Sequence, residues 1–224
     1  MAADARADVV TTRESTFAMI DLAGYTALTE HHGDLHAADL AVAFAEVARG
    51  CLEPGDRLIK SIGDAVLLAS PSPREGIELV ARVLDALNTL EDAPLTRTGL
   101  HHGEAVERDG DVFGTAVNLA ARVASHAKGG QVLATTSVAE AARQLGVSVS
   151  SEGSATFKNL SEPYELFALE LDPVRAAGSV DPVCRMWIER AKATGPEHHG
   201  GREYWFCSTN CAQMFVVAPL RYAT

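Results

Sequence analysis

Apolar positions along the chain fall into short blocks alternating with helical stripes. Residues 16–22 are apolar apart from Asp21, which predicts a buried strand, followed by a turn at Gly24. Leu40, Phe44 and Val47 recur at helical spacing within the Ala-rich stretch 35–49, so a helix follows. Leu58-Ile59 and the run 65–69 flank Lys60-Ser61-Ile62-Gly63-Asp64. Two apolar runs around a Gly-containing turn predict a hairpin between largely buried strands. Ser72-Pro73 then opens a helix whose stripe is Ile77, Val80, Ala81, Leu84 and Leu87.

Residues 97–106 return as a strand carrying His101-His102, 111–114 read as a turn, and 115–127 as an Ala-rich helix. A short strand over 131–135, a short helix capped by Ser137, and β structure at 157–158 and 164–169 complete the pattern. Strand, helix, hairpin, helix, strand is an α+β sandwich of ferredoxin-like type, βαββαβ. After Leu171 the texture changes. The expected division is a disordered N-terminus over 1–15, a main domain over 16–171, a linker over 172–179 and a small Cys-containing domain over 180–224.

Composition narrows the function classes. A net charge of −11 argues against a nucleic-acid binder, while leaving room for a nucleotide held by local cations and metal ions. No run approaches the roughly 18–20 apolar residues of a membrane span. The polar start, with Asp4, Asp8, Arg13 and Glu14, lacks the apolar core of a signal peptide, so a cytoplasmic location without a membrane is expected.

Charged side chains at strand ends are the first candidates for chemistry. Asp21 and Asp64 both end apolar strands; if the strands are neighbours, the carboxylates converge as an oxygen platform for two Mg²⁺ or Mn²⁺ ions on a polyphosphate. Lys60 and Asp64 also allow a plain ion pair across the hairpin mouth. Asn118 and Arg122, four apart on one helix face, suit ribose and phosphate oxygens, or simply a solvated face. Lys158 adds a cation, or is an ordinary surface lysine.

Together these segments resemble the class III nucleotidyl cyclase catalytic domain. The stretch Phe17-Ala18-Met19-Ile20-Asp21-Leu22-Ala23-Gly24-Tyr25-Thr26 is similar to its first metal motif, and Lys60-Ser61-Ile62-Gly63-Asp64-Ala65 to its second. Residues 111–122, from Asp111-Val112-Phe113-Gly114 to Arg122, resemble the third. Gly99-Leu100-His101-His102-Gly103-Glu104 and Phe157-Lys158-Asn159-Leu160 match neighbouring segments, so the resemblance runs over about 16–170.

The resemblance implies roles. Asp21 and Asp64 would hold two Mg²⁺ or Mn²⁺ ions, Lys60 and Asp111 would read the base, and Asn118 would position the ribose. Arg122 would stabilise charge on the reacting phosphate and Lys158 would hold the outer phosphates. It also implies a head-to-tail homodimer with two sites at the interface, and attack of the ribose 3′-oxygen on the α-phosphorus with loss of pyrophosphate. The base follows from donor and acceptor chemistry: Lys60 only donates and ionised Asp111 only accepts, which complements adenine N1 and its 6-amino group. Guanine reverses both, leaving polar groups unpaired at roughly 1–3 kcal/mol each, so ATP is favoured over GTP.

Asp181-Pro182-Val183-Cys184-Arg185-Met186 and Tyr204-Trp205-Phe206-Cys207-Ser208-Thr209-Asn210-Cys211, with Phe215, Pro219 and Tyr222, resemble the YHS domain, with Arg185 where that family usually has glycine. A unit of roughly 45 residues has little core and gains from a metal or from docking. Cys184, Cys207 and Cys211 offer three thiolates to Zn²⁺ or another soft metal, or are reduced and packed. A fourth ligand is not obvious; His198 and His199 are candidates in a polar loop, Cys51 reads as core, and His31-His32 and His101-His102 as surface and strand residues. The expectation is an adenylate cyclase whose tail senses metal or redox state. The alternative is a catalytically silent nucleotide-binding or metal-binding regulatory protein.

Overall fold

Strand β1 (Thr11–Leu22) pairs along its whole length with β4 (Thr96–Arg108) and, over Thr16–Asp21, with β3 (Ala65–Ser70) on its other side, antiparallel in both cases. The computed structural model describes residues 11–88, 94–158, 160, 162–171 and 178–223. Between β1 and β3 lie helices α1 (Tyr25–His32) and α2 (Asp34–Gly50) and strand β2 (Arg57–Ile62). Helix α3 (Pro73–Leu87) joins β3 to β4. The resulting order β2-β3-β1-β4 is that of a βαββαβ unit, as the hydrophobic pattern predicts. The sheet continues through β6 (Val132–Thr135), β8 (Tyr164–Leu169) and β7 (Val149–Ala155), with β5 (Asp111–Phe113) hairpinned onto β4. Helices α4 (Thr115–His126) and α5 (Thr136–Gln144) complete this part.

Helix α3 shows why the pattern was readable. Ser72 accepts from Glu75 N at its N-terminus, Pro73 fits the first turn, and Ile77, Val80, Val83, Leu84 and Leu87 are buried. Helix α4 packs so tightly on the sheet that a Cβ at Gly99 of β4 would lie 2.1 Å from Ala124 N and 2.5 Å from Ala120 O. Glycine is required there by proximity, and it fixes the height of the helix that carries Asn118 and Arg122.

Four expectations are corrected. The disordered N-terminus expected through residue 15 does not hold for Thr11–Ser15, which pair with Glu107–Gly103; their polar side chains hide a strand that is held by its backbone ladder. Residues 1–10 lie outside the described residues, as does the linker over 172–177. Asp111–Phe113 is a strand rather than a turn, the reversal being made by Asp109 and Gly110, both at positive φ. Ser137 lies inside α5, whose N-cap is Thr135. Phe157-Lys158 is not a strand; Phe157 instead plugs the core beside Leu119 and Val123, and the strand before it, β7, is polar and escapes periodicity.

The C-terminal unit comprises the short strands β9 (Ser179–Val180), β10 (Trp187–Ile188), β11 (Thr194–His199) and β12 (Arg202–Phe206), then helices α6 (Thr209–Val217) and α7 (Pro219–Tyr222). Its Val183, Met186, Phe206, Phe215 and Tyr222 share one hydrophobic cluster with Leu28, Phe44 and Val80. Docking thus supplies the core that so short a segment lacks.

The histidine doublet of β4 is built into the sheet. His101 Nδ1 lies 2.8 Å from Thr135 Oγ1, and His102 Nδ1 lies 2.9 Å from Thr16 Oγ1. Burial, with His102 beside it, pushes His101 from 6.5 down to about 4. The unfolded chain therefore binds a proton that the native state refuses between these values. Its contribution to stability is complete above about pH 6.5 and is lost as pH falls toward about 4, by an amount on the order of 2–3 kcal/mol. Urea midpoints measured between about pH 7 and about pH 4.5 should fall steeply, and more gently in His101→Gln. An unchanged slope in the variant would assign the acid sensitivity elsewhere.

Candidate functional site

The carboxylates of Asp21 and Asp64 are brought together by the β1–β3 register, in which Asp21 lies opposite Ala65 and Leu22 N donates to Asp64 O at 3.1 Å. Burial pushes the Asp64 carboxyl above its ordinary range, and the neighbouring Asp21 charge pushes it further. Arg97, opposite Asp21 on β4, donates to the Asp21 carboxylate, while its Nε is buried without a hydrogen-bond partner. Nothing local in the sequence marks Arg97, because only the strand register puts it across from Asp21. Two half-buried carboxylates this close together form an oxygen-only donor set, which suits a hard divalent cation.

Lys60 does not close a pair with Asp64. Its Nζ donates to both oxygens of Asp111, at 2.7 and 2.8 Å, and lies 5.8 Å from the centre of the Phe113 ring. Asp111 Oδ1 also accepts from Val112 N at 2.8 Å, which ties the carboxylate to the hairpin backbone. The Lys60 hydrogen bonds hold Asp111 below the usual carboxylate range. The two residues expected to read a base are thus side by side, a donor next to an acceptor. Beside them Ile62 is 51% exposed and Phe113 52%, large apolar side chains left open to solvent.

Asn118 and Arg122 occupy the exposed side of α4, one turn apart, while Ala116, Leu119, Ala120 and Val123 are buried on the other side. Lys158 is exposed in the turn after β7. A single chain therefore groups the site residues as Asp21 with Asp64, Lys60 with Asp111, Asn118 with Arg122, and Lys158 on its own.

A second constellation joins the tail to α1. Cys207 Sγ lies 3.6 Å from the sulfurs of Cys184 and Cys211 and 3.7 Å from His32 Nε2. The hydrogen bonds of Cys184 and Cys207 hold the Cys211 thiol down to about 4, while the same contacts raise Cys184. The histidines considered in the tail loop are elsewhere: His198 pairs with Glu203 at 3.5 Å and His199 stands against the Phe215 ring. The sequence marks His32 only as a surface residue, since no local spacing connects it to cysteines more than 150 positions away. Cys51 is apart from this group, with its Sγ 3.6 Å from Arg82 O.

A cleft of about 480 Å³ runs between the β1–α1 turn and the tail, lined in part by Gly24, Arg97, Lys128 and Arg185. Gly24 is at φ +86°, and a Cβ there would lie 2.3 Å from that of Arg185. Arg185 itself is left-handed, at φ +66°, a conformation that glycine adopts at less cost than arginine.

Comparison with known proteins matches residues 9–170 to the family described as the adenylate and guanylate cyclase catalytic domain. Over 129 residues the chain is 40% identical to the pH-sensitive adenylate cyclase MT1302 of Mycobacterium tuberculosis, covering 58% of this chain and 32% of that protein. An adenylate cyclase of Streptomyces griseus is 34% identical over 136 residues, covering 60% of this chain and 34% of the relative. The chain thus spans about a third of the length of these relatives. Among solved structures, the adenylyl cyclase CyaB from P. aeruginosa aligns with a TM-score of 0.61 at 18% identity, covering 72% of this chain and 95% of that one. An adenylate cyclase of Trypanosoma brucei aligns with a TM-score of 0.63 at 21% identity, covering 72% and 91%. These two share the fold.

Proposed function

The chain belongs to the adenylate and guanylate cyclase catalytic domain family, and from that premise we propose that it converts ATP to 3′,5′-cyclic AMP and pyrophosphate at sites shared across a homodimer. The observation that carries the choice of adenine is the Lys60–Asp111 pair, a donor and an acceptor held together on an exposed face. Exposed Ile62 and Phe113 around that pair support a second copy as the partner, since they would be covered when the base pocket closes.

Asp21 and Asp64 would hold two Mg²⁺ or Mn²⁺ ions, and the all-oxygen, mutually repelling pair described above fits such ions. When bound, the ions supply Lewis-acid stabilisation and a lowered pKa for the attacking hydroxyl. Lys60 donates to adenine N1 and Asp111 accepts from the 6-amino group. Asn118 orients the ribose so that its 3′-oxygen faces the α-phosphorus. The new O3′–P bond forms as the bond to the bridging oxygen of pyrophosphate breaks, and the hydroxyl proton passes to solvent water. Arg122 offsets charge on the α-phosphate oxygens, and Lys158 holds the outer phosphates.

In this reading residues 16–171 are the catalytic domain, 180–224 a YHS-like accessory domain that senses metal or redox state, and the protein works in the cytoplasm. Among the described residues, no helix is long and apolar enough to cross a membrane. The test is cyclic nucleotide formation from ATP and GTP with Mg²⁺ or Mn²⁺. Cyclic AMP in clear excess over cyclic GMP is expected; no product with either ion would leave a silent nucleotide-binding module.

A further inference from the structure

Three sulfurs and one imidazole nitrogen, from two distant parts of the chain, converge on one point. All four ligand atoms lie within 4.8 Å of one another. Tetrahedral coordination with bonds of about 2.3 Å to sulfur and about 2.0–2.1 Å to nitrogen spaces its ligand atoms about 3.5–3.8 Å apart. The separations around Cys207, at 3.6, 3.6 and 3.7 Å, match that spacing. A disulfide needs sulfurs at about 2.05 Å and leaves the third thiol and the imidazole without a role. We propose that Cys184, Cys207, Cys211 and His32 bind one zinc-class divalent ion, and that this ion fastens the C-terminal unit to helix α1.

The ligand loops are built to hold still. Asp181 is fully buried and accepts from Val183 N at 2.7 Å, Cys184 N at 3.4 Å and Cys207 N at 2.8 Å, so one carboxylate ties both cysteine-bearing segments. Ser208 caps α6 by accepting from Cys211 N at 3.3 Å, which sets Cys207 and Cys211 on either side of the first turn. Of the four ligands, two are buried and two half-buried, so an ion there would be screened from bulk water.

His32 gives the site its consequence. It is the last residue of α1, the helix that begins just after the Asp21 strand. The tail touches that helix at both ends. Arg185, next to Cys184 in sequence, packs on Gly24 at its start, while Arg221 pairs with Glu30 at 3.0 Å and Tyr222 meets the His31 ring at its end. Occupancy therefore clamps α1 and the turn from Asp21. The effect of this clamp on turnover rests on the cyclase reading; the metal site does not.

The test uses the full chain stripped of metal and titrated with zinc, then with cobalt as a spectroscopic probe. One ion per chain is expected, with the visible absorption of tetrahedral, thiolate-bound cobalt. His32→Gln, which leaves the tail's own core intact, should weaken zinc binding by about tenfold or more, whereas Cys51→Ser should leave it unchanged. Zinc should slow hydrogen exchange across residues 25–32 in the wild type and fail to do so in His32→Gln. Binding well below one ion per chain, equal affinity in His32→Gln, or α1 exchange indifferent to zinc would each overturn the proposal. None of these readouts requires cyclase activity, so a failed cyclase reading would leave them interpretable.

Discussion

Replacing Asp64 with alanine should lower cyclic AMP formation by at least about 10³-fold, equivalent to about 4 kcal/mol of transition-state stabilisation. Asp64 is one of two carboxylates available to the metal platform, and no other carboxylate shares the turn that places it beside Asp21. Stability should move the other way. The Asp64 carboxyl is raised above its ordinary range by burial and by Asp21, so its ionised form opposes folding. A raised carboxyl pKa means that its favourable contribution is present at low pH and lost as pH rises, so at neutral pH Asp64 is a cost. Thermal unfolding at neutral pH should therefore show Asp64→Ala to be at least as stable as the wild type while its turnover collapses. A variant that is inactive because it is unfolded would contradict this reading.

The Lys60→Ala substitution should cost ATP turnover roughly 1–3 kcal/mol, or about 5–150-fold in kcat/KM, and narrow the preference over GTP. Lys60 is the donor half of the base-reading pair, and without it Asp111 loses the partner at 2.7 Å that holds it in place. Adenine N1 would then go unsatisfied, while guanine would lose a donor facing its own N1–H. Initial rates on both nucleotides across a concentration series separate these effects. Equal losses for ATP and GTP would mean that Lys60 supports the hairpin without reading the base.

The two arms of this account were unequally legible in the sequence. Asp21, Lys60, Asp64, Asn118 and Arg122 stand out as candidates because each lies at a strand end, a turn or a helix face bounded by strong apolar periodicity, whereas Asp111 entered only through the family resemblance. The βαββαβ order follows from the same periodicity. Strands β7 and the first residues of β1 did not, because edge and flank strands are held by backbone hydrogen bonds that leave no mark on side-chain polarity. Helix α1 is short and weakly amphipathic, and its end, His32, acquires meaning only once the tail folds back onto it. Arg97 was invisible for a similar reason, since its pairing with Asp21 depends on the β1–β4 register. Local pattern points to candidates carried by one segment; groupings between distant segments need the fold.

The hairpin from Lys60 to Asp64 condenses the central claim, that each site draws on both subunits. Asp64 would serve the metal platform of one site and Lys60 the adenine pocket of the other. The most direct measurement mixes equal amounts of inactive Asp64→Ala and impaired Lys60→Ala chains, refolds or co-expresses them, and records cyclic AMP formation. Half of the dimers would be mixed, each with one intact site, so activity should recover to about a quarter of the wild type. Activity no greater than the average of the two separate variants would show that each subunit works alone, and would contradict the shared-site account.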